Sequence, residues 1–256
     1  GGNDSVETGR RISFAAQNAK KSIAVIAVPK TIDNDLILTD HSPGYGSAAR
    51  FVAMAAMGIG MDAEGMGNAS PITILEVMGR DSGWLAAASA LGRRKDRDAP
   101  HLICVPEVPV DECRFLEGMD DAYRRFGFAV AVVAENARGS DGVLGSQQEP
   151  WYVDEFGHPY FEGAGQILAT LLGRHSGLRV RYENPGTIQR SMVSCVSKTD
   201  VQEAEMVGRA AVCYALQGAH DQMVTLVRED TQAYACSTGL ASFDRVAGKV
   251  RQLPVD

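Results

Sequence analysis

The chain has no uninterrupted apolar run of about 18 residues, so no segment of it is expected to span a membrane. It has no surplus of basic charge either: 25 Lys and Arg stand against 32 Asp and Glu, a net charge of −7. That charge is spread along the chain, and binding a phosphate backbone needs a basic face, so nucleic acid is excluded as the main partner. The five cysteines form no CxxC pair and no metal-ligand spacing. Scattered singly, they read as reduced thiols of a cytoplasmic protein. None of the five histidines has a metal or triad partner at useful spacing, and all are read as structural. There is no repeat of solenoid period, no low-complexity segment, no visible signal peptide and no initiator Met. The opening Gly1-Gly2 is a turn that normally follows a strand, so an upstream part of the fold is expected.

What is present is ordinary for a globular enzyme: 256 residues, 45% apolar and 22% charged. That length buries a full core, as one large α/β domain or two smaller ones. Short apolar runs rich in branched residues, Ser22–Val28, Ile72–Val77, His101–Val105, Phe128–Ala134 and Met223–Val227, read as buried parallel strands. Helical spacing lies between them. Asp4 with Glu7 three residues on resembles a capping box for a helix to about Lys20, and Ser82 is placed to cap a Gly83–Leu91 helix. Phe243, Val246, Val250 and Leu253 form a helical stripe. Strands alternating with helices predict parallel sheets with helices on both faces. The Gly-rich, Gln-rich and acidic stretch Gly139–Gly163 reads as a long surface connection, with a small hairpin around Trp151–Tyr160.

In open parallel sheets, ligands bind just beyond the carboxyl ends of the strands. The unusual residues collect there. Ser22–Val28 runs into Pro29-Lys30-Thr31-Ile32-Asp33-Asn34-Asp35, and Ile72–Val77 into Met78-Gly79-Arg80-Asp81-Ser82-Gly83. His101–Val105 ends at Pro106-Glu107, and Phe128–Ala134 at Glu135-Asn136. Gly1-Gly2 before a helix lets backbone N–H groups approach phosphate oxygens at its positive end. Lys30 offers a compact cation for a polyphosphate and Thr31 a hydroxyl. Asp33 and Asp35, one residue apart, would point to opposite sides of an extended segment, so one could take a proton while the other holds Mg²⁺. Arg80 can reach an acceptor, and Glu107 can accept hydrogen bonds from sugar hydroxyls. Each signal alone has a plain explanation as a turn, a solvated loop or a cap. Their shared position at one end of the sheets is what carries the reading.

These residues resemble the signature segments of the 6-phosphofructokinases, in the right order and at similar spacing. Pro29–Asp35, Met78-Gly79-Arg80 and Pro106-Glu107 carry the resemblance. Gly1-Gly2-Asn3-Asp4-Ser5 is similar to the family's phosphate loop, and Gly186-Thr187-Ile188-Gln189-Arg190 to its later sugar-phosphate segment. The match is dense from Gly1 to Arg190. The resemblance implies two Rossmann-like three-layer α/β/α domains with the active site in the cleft between them, residues 1–43 with 187–256 forming the first and 44–186 the second. It implies Mg²⁺-dependent phosphoryl transfer to fructose 6-phosphate, with Asp33 as the base for the 1-hydroxyl. Thr31 and Arg80 would steady the transferring group, and Asp35 would help hold Mg²⁺. Met78, Gly79, Arg80, Glu107 and Arg190 would line the sugar-phosphate site. Arg181 would belong to the 6-phosphate clamp, reaching across from a neighbouring subunit of a homo-oligomer, a dimer or tetramer.

Two positions bear on the donor. Members that use ATP usually carry Gly at the places of Asp4 and Lys30. Asp4 puts a carboxylate where a nucleotide's α-phosphate must lie, and Lys30 adds a cation beside the phosphates of pyrophosphate. Both point to the pyrophosphate-dependent branch, with Gly2, Asn3, Asp4 and Lys30 as donor residues. Three positions depart from the family pattern. Asn3 replaces an Asp associated with Mg²⁺, Pro71 replaces an Arg that contacts the 6-phosphate, and Thr187 replaces a His or Tyr of the sugar site. They leave room for another ketose phosphate. The competing readings are an ATP-dependent sugar kinase and a non-catalytic regulatory paralogue, the latter opposed by intact Asp33, Asp35, Arg80 and Glu107.

Overall fold

A segment built only of Ala and Val, such as residues 129–134, has no polar side chain to turn toward water, so it is stable where both of its faces are covered. A computed structural model of the chain describes residues 1–145, 149–150, 152–155, 157, 159–160 and 163–255. In chain order the elements are α1 (Asn3–Asn18), β1 (Ile26–Ala27), α2 (Tyr45–Met66), β2 (Ile72–Val77), α3 (Trp84–Ala88), β3 (Leu102–Cys104), α4 (Glu112–Phe126) and β4 (Ala129–Ala134). Two short hairpins follow, β5 (Arg138–Gly139) with β6 (Gly142–Val143) and β7 (Tyr152–Val153) with β8 (Pro159–Tyr160). The chain continues through α5 (Ala164–Ser176), β9 (Val180–Glu183), α6 (Lys198–Leu216), β10 (Gln222–Arg228), β11 (Cys236–Ser242) and α7 (Phe243–Val246). The hairpin expected around 151–160 is present in β7 and β8; Trp151 itself lies outside the described residues. Among the described residues, no helix is long and apolar enough to cross a membrane.

The chain divides into two compact units, Gly1–Ala48 with Val193–Arg251, and Ala49–Met192 with the last residues from Gln252. The second unit is built on a four-stranded sheet in the order β3-β4-β2-β9, every pair parallel. All residues of β2 and β4 are buried. One core joins Ile72, Ile74, Ala129, Ala131 and Val133 to Phe115 and Met119 of α4 and Leu168 and Leu172 of α5. Helix α4 follows the capping rules: Asp111 accepts from the Arg114 N–H at 3.0 Å, and Gly127 ends the helix in the left-handed conformation. This is the predicted α/β architecture of parallel strands with packed helices.

The first unit departs further from expectation. Its sheet runs β1-β10-β11, with β1 parallel to β10 and β11 antiparallel, so it is mixed rather than parallel throughout. The expected strand Ser22–Val28 shrinks to Ile26–Ala27, because only these two residues have β10 partners. The capping box does not form. Gly2 is the N-cap without a side-chain bond, and Glu7 instead pairs with Arg10 at 2.9 Å and Arg11 at 2.8 Å. Ser82 is likewise no cap; it is fully buried, and Gly83 opens a helix only five residues long. The stripe from Phe243 is helical only to Val246, because the chain turns away at Gly248 with φ +70°.

Candidate active site

In the first unit, the backbone brings two separate segments side by side. The Gly1 carbonyl accepts from the Lys30 N–H at 3.3 Å. At Gly2 a side chain would begin 3.8 Å from the Thr31 Cβ, so the turn that opens α1 lies directly against Thr31. Gly2, Asn3 and Asp4 therefore stand at the positive end of a 16-residue helix, beside Lys30 and Thr31. Asp4 and Lys30 are exposed; Thr31 is buried.

The Thr31–Asp35 segment is not extended. Asn34 is left-handed, with φ +56°, a conformation that Asn tolerates better than most residues. Asp33 and Asp35 therefore do not lie on an extended segment, on which they would have pointed to opposite sides. The bend places them differently: the Asp33 N–H donates to the Thr31 hydroxyl at 3.1 Å, and the Asp35 carboxylate accepts from the Asn3 amide at 2.9 Å. The Asp35 carbonyl accepts from the Arg251 N–H at 2.7 Å. Because a carboxylate only accepts, Asn3 must present its NH₂ to Asp35, which leaves its own oxygen buried with no partner among the described residues. A hard oxygen beside a carboxylate is the donor set that Mg²⁺ takes when it binds through one or two protein groups and substrate phosphates. The described residues hold no cluster of three or more His, Cys, Asp or Glu that could cage a metal without such phosphates.

In the second unit, the residues expected on the acceptor side follow the carboxyl end of β2. Gly79 has φ +128°, and a Cβ there would lie 2.6 Å from the Ser82 carbonyl, so only glycine fits. Its N–H faces the Glu135 carboxylate at 3.4 Å. Gln189 is buried and bridges two segments, accepting from the Met78 N–H at 3.0 Å and donating to the Gly186 carbonyl at 3.1 Å. The Met78-Gly79-Arg80 and Gly186–Arg190 segments are thus joined, with Thr187 and Arg190 on the exposed side of a 3₁₀ turn. Gln189 belongs to the motif, but nothing in its local pattern signals this bridging role. Glu107 accepts from the N–H groups of Gly83 at 2.9 Å and Leu253 at 2.8 Å through one oxygen. Its other oxygen is buried and has no partner among the described residues, which leaves it able to accept from a hydroxyl.

Arg181 stands apart. It pairs across the sheet with Thr73, five residues before Met78 in β2, roughly 16 Å at the strand rise of about 3.3 Å per residue. No arginine side chain covers that distance. Arg181 instead pairs with Asp62 of α2 at 2.5 Å, and its buried Nε has no partner among the described residues. Pro71, just before β2, lies at the same end.

A model of the phosphofructokinase family matches residues 1–214. The chain belongs to that family. It is 39% identical to a pyrophosphate–fructose 6-phosphate 1-phosphotransferase of Rhodospirillum rubrum, over 99% of this chain and 63% of that protein. It is 34% identical to a sulfofructose kinase of Alkalicoccus urumqiensis, over 91% of the chain and 60% of that protein. Among solved structures, a pyrophosphate-dependent phosphofructokinase from Nitrosospira multiformis superposes with a TM-score of 0.85 at 32% identity, covering 99% of this chain and 60% of that one. The chain spans about three fifths of the length of the curated relatives it matches.

Proposed function

We propose that the protein transfers a phosphoryl group from pyrophosphate to the 1-hydroxyl of fructose 6-phosphate, reversibly, as a step of glycolysis and gluconeogenesis. Asp33 takes the hydroxyl proton as the oxygen attacks the terminal phosphorus, and the bond from phosphorus to the leaving phosphate breaks. Such transfer needs positioning and charge stabilisation rather than covalent work by the protein. The Thr31 hydroxyl and Arg80 steady the transferring group, and Lys30 neutralises the leaving phosphate. Met78, Gly79, Glu107, Thr187 and Arg190 hold the sugar phosphate. Mg²⁺, held by Asn3 and Asp35, would offset the charge of the donor phosphates. Arg181 is too far down its strand to serve its own Met78–Arg80 segment, which favours its acting on a second copy in a homo-oligomer. The enzyme works in the cytoplasm.

The observation that carries the donor assignment is the first turn of α1. Asp4 sits there, in a turn whose Gly1 is bonded to Lys30. ATP would bring an α-phosphate against that carboxylate, whereas pyrophosphate has none. The test compares initial rates with pyrophosphate and with ATP on the intact protein, wild type and Asp4→Gly/Lys30→Gly. Wild type should use pyrophosphate with little ATP turnover, and the double variant should lose pyrophosphate use and gain some with ATP. Preference of the wild type for ATP overturns the assignment.

A different ketose as acceptor is favoured by Pro71 and Thr187, and by the similarity to a protein named sulfofructose kinase. Pro71 lies at the same end as Arg181, so Pro71→Arg should act on a second copy and tighten fructose 6-phosphate there by about tenfold or more if that is the acceptor, since a charge-assisted hydrogen bond is worth roughly 1.5–3 kcal/mol. Unchanged binding, or better use of another sugar phosphate, would shift the acceptor.

A further inference from the structure

Within the first unit, two helices cap each other at their N-termini. Asp200, in the first turn of α6, is 7% exposed, and no step of the reaction above uses its carboxylate. One oxygen accepts from the Gly44 N–H at 3.2 Å. The other accepts from the Ser47 N–H at 2.5 Å and from the Ser47 hydroxyl at 2.6 Å. In return the Ser47 hydroxyl accepts from the N–H of Ser197, the N-cap of α6, at 2.9 Å. A carboxylate at the positive ends of two helices gains from both. That much explains a stable corner.

One of these bonds leads elsewhere. Gly44 has φ +105° and forms a parallel bridge with Thr31. The Thr31 hydroxyl in turn accepts the N–H of Asp33. The Asp200 bond to Gly44 therefore fixes the strand residue against which Thr31 rests, and through Thr31 the backbone of Asp33. The Ser47 bonds do not touch that path. We infer that Asp200 is a positioning residue for the Thr31–Asp33 segment, acting through Gly44, beyond its capping of α2. The inference rests on the reading of Asp33 as the base.

The geometry separates two roles that one substitution would mix. Ser47→Ala removes both hydroxyl contacts of the mutual cap but keeps the Gly44 bond. Asp200→Asn keeps the size of the side chain; its carbonyl oxygen is drawn to the two Ser47 donors, and its NH₂, which cannot accept, is left facing the Gly44 N–H. On the intact protein, both variants should lower Tm. Asp200→Asn should lower kcat about tenfold to a hundredfold, as small displacements of reacting groups do, with KM for both substrates within about threefold. Ser47→Ala should keep kcat within about threefold. Equal kcat losses in the two variants, or an unchanged kcat in Asp200→Asn, overturn the inference. If Asp200→Asn does not fold, Asp200→Glu serves, because it keeps the charge and displaces it by one methylene. Its kcat loss should exceed that of Ser47→Ala at comparable Tm, and equal losses overturn the inference again. Asp33→Asn is the control: full activity there would defeat the base assignment itself, separately from Asp200.

Discussion

In the second unit, Met78 and Gly79 follow directly on a six-residue strand whose every residue is buried, and glycines hold the turn by close packing. In the first unit, Thr31 to Asp35 follow a strand of two residues, and the segment is held by hydrogen bonds to Asn3, Gly44 and Arg251. The turn at Met78 and Gly79 is placed by steric exclusion with bonds from Gln189 and Glu135 added to it, and the Thr31 to Asp35 segment chiefly by polar contacts from distant parts of the chain. Packing tolerates change poorly but needs few partners. A polar frame can lose single contacts and shift rather than collapse. The acceptor side should therefore fail through stability, and the donor side through rate.

The largest effect expected on the donor side is that of Asp33→Asn, which keeps the shape and removes the proton acceptor. General base catalysis contributes on the order of 10²–10⁴, and turnover should fall by at least that while sugar-phosphate affinity stays within a few-fold. Steady-state kinetics with a separate binding measurement would show it. Near-normal turnover would break the comparison at its centre.

The acceptor side is tested by Gly83→Ala. The added methyl would lie 2.5 Å from the Val105 Cβ and 2.8 Å from the unpartnered Glu107 oxygen. Overpacking of this kind costs about 1–3 kcal/mol, so thermal unfolding should shift by several degrees. Glu107 must also swing away, and KM for the sugar phosphate should rise. A variant of normal stability with a raised KM would mean that the turn yields without strain.

The smallest effect concerns Glu76, buried within β2. It accepts from the Gly165 N–H at 2.8 Å and the Asn184 amide at 2.9 Å. Burial raises its pKa from the usual 4.5, while the Gly165 N–H and Tyr182 oppose that rise. The folded state therefore keeps a proton that the unfolded chain has already released. The cost is absent below the unfolded value and grows as pH rises through the folded one. Tm should fall with rising pH above about 4.5, and Glu76→Gln should flatten that slope by no more than a few degrees. An unchanged slope would show that the hydrogen bonds cancel the burial.

The same contrast decides what could be read from the sequence. Strands β2 and β4 were legible because burial on both faces leaves an unbroken apolar run, and the glycine of Met78-Gly79-Arg80 announces a turn. Strand β9 escaped because Val-Arg-Tyr-Glu, on the edge of its sheet, mixes charge with apolar residues. Strand β11 escaped because its Cys, Ser, Thr and Gly carry little apolar signal. That Thr31–Asp35 follows a strand was legible, but the bend at Asn34 was not, since nothing local forces Asn to be left-handed. Asp200 and Gln189 were invisible as positioning groups, because their partners lie more than a hundred residues away.

The pairing of Ile26 with Gln222 has a consequence for the order of folding. The first unit cannot complete its sheet until β10 has been synthesised, whereas all of the second except its last residues from Gln252 is one continuous inserted segment made before it. A chain leaving the ribosome can therefore assemble the second unit while the first still waits for its closing strand. Folding the insertion early shortens the effective loop that β1 and β10 must close. Each halving of a flexible loop recovers only about 0.6 kcal/mol, so the gain is modest in stability. Its larger effect is on timing: the Thr31–Asp35 segment, bonded to Arg251, can complete its frame only after β10 and β11 are made.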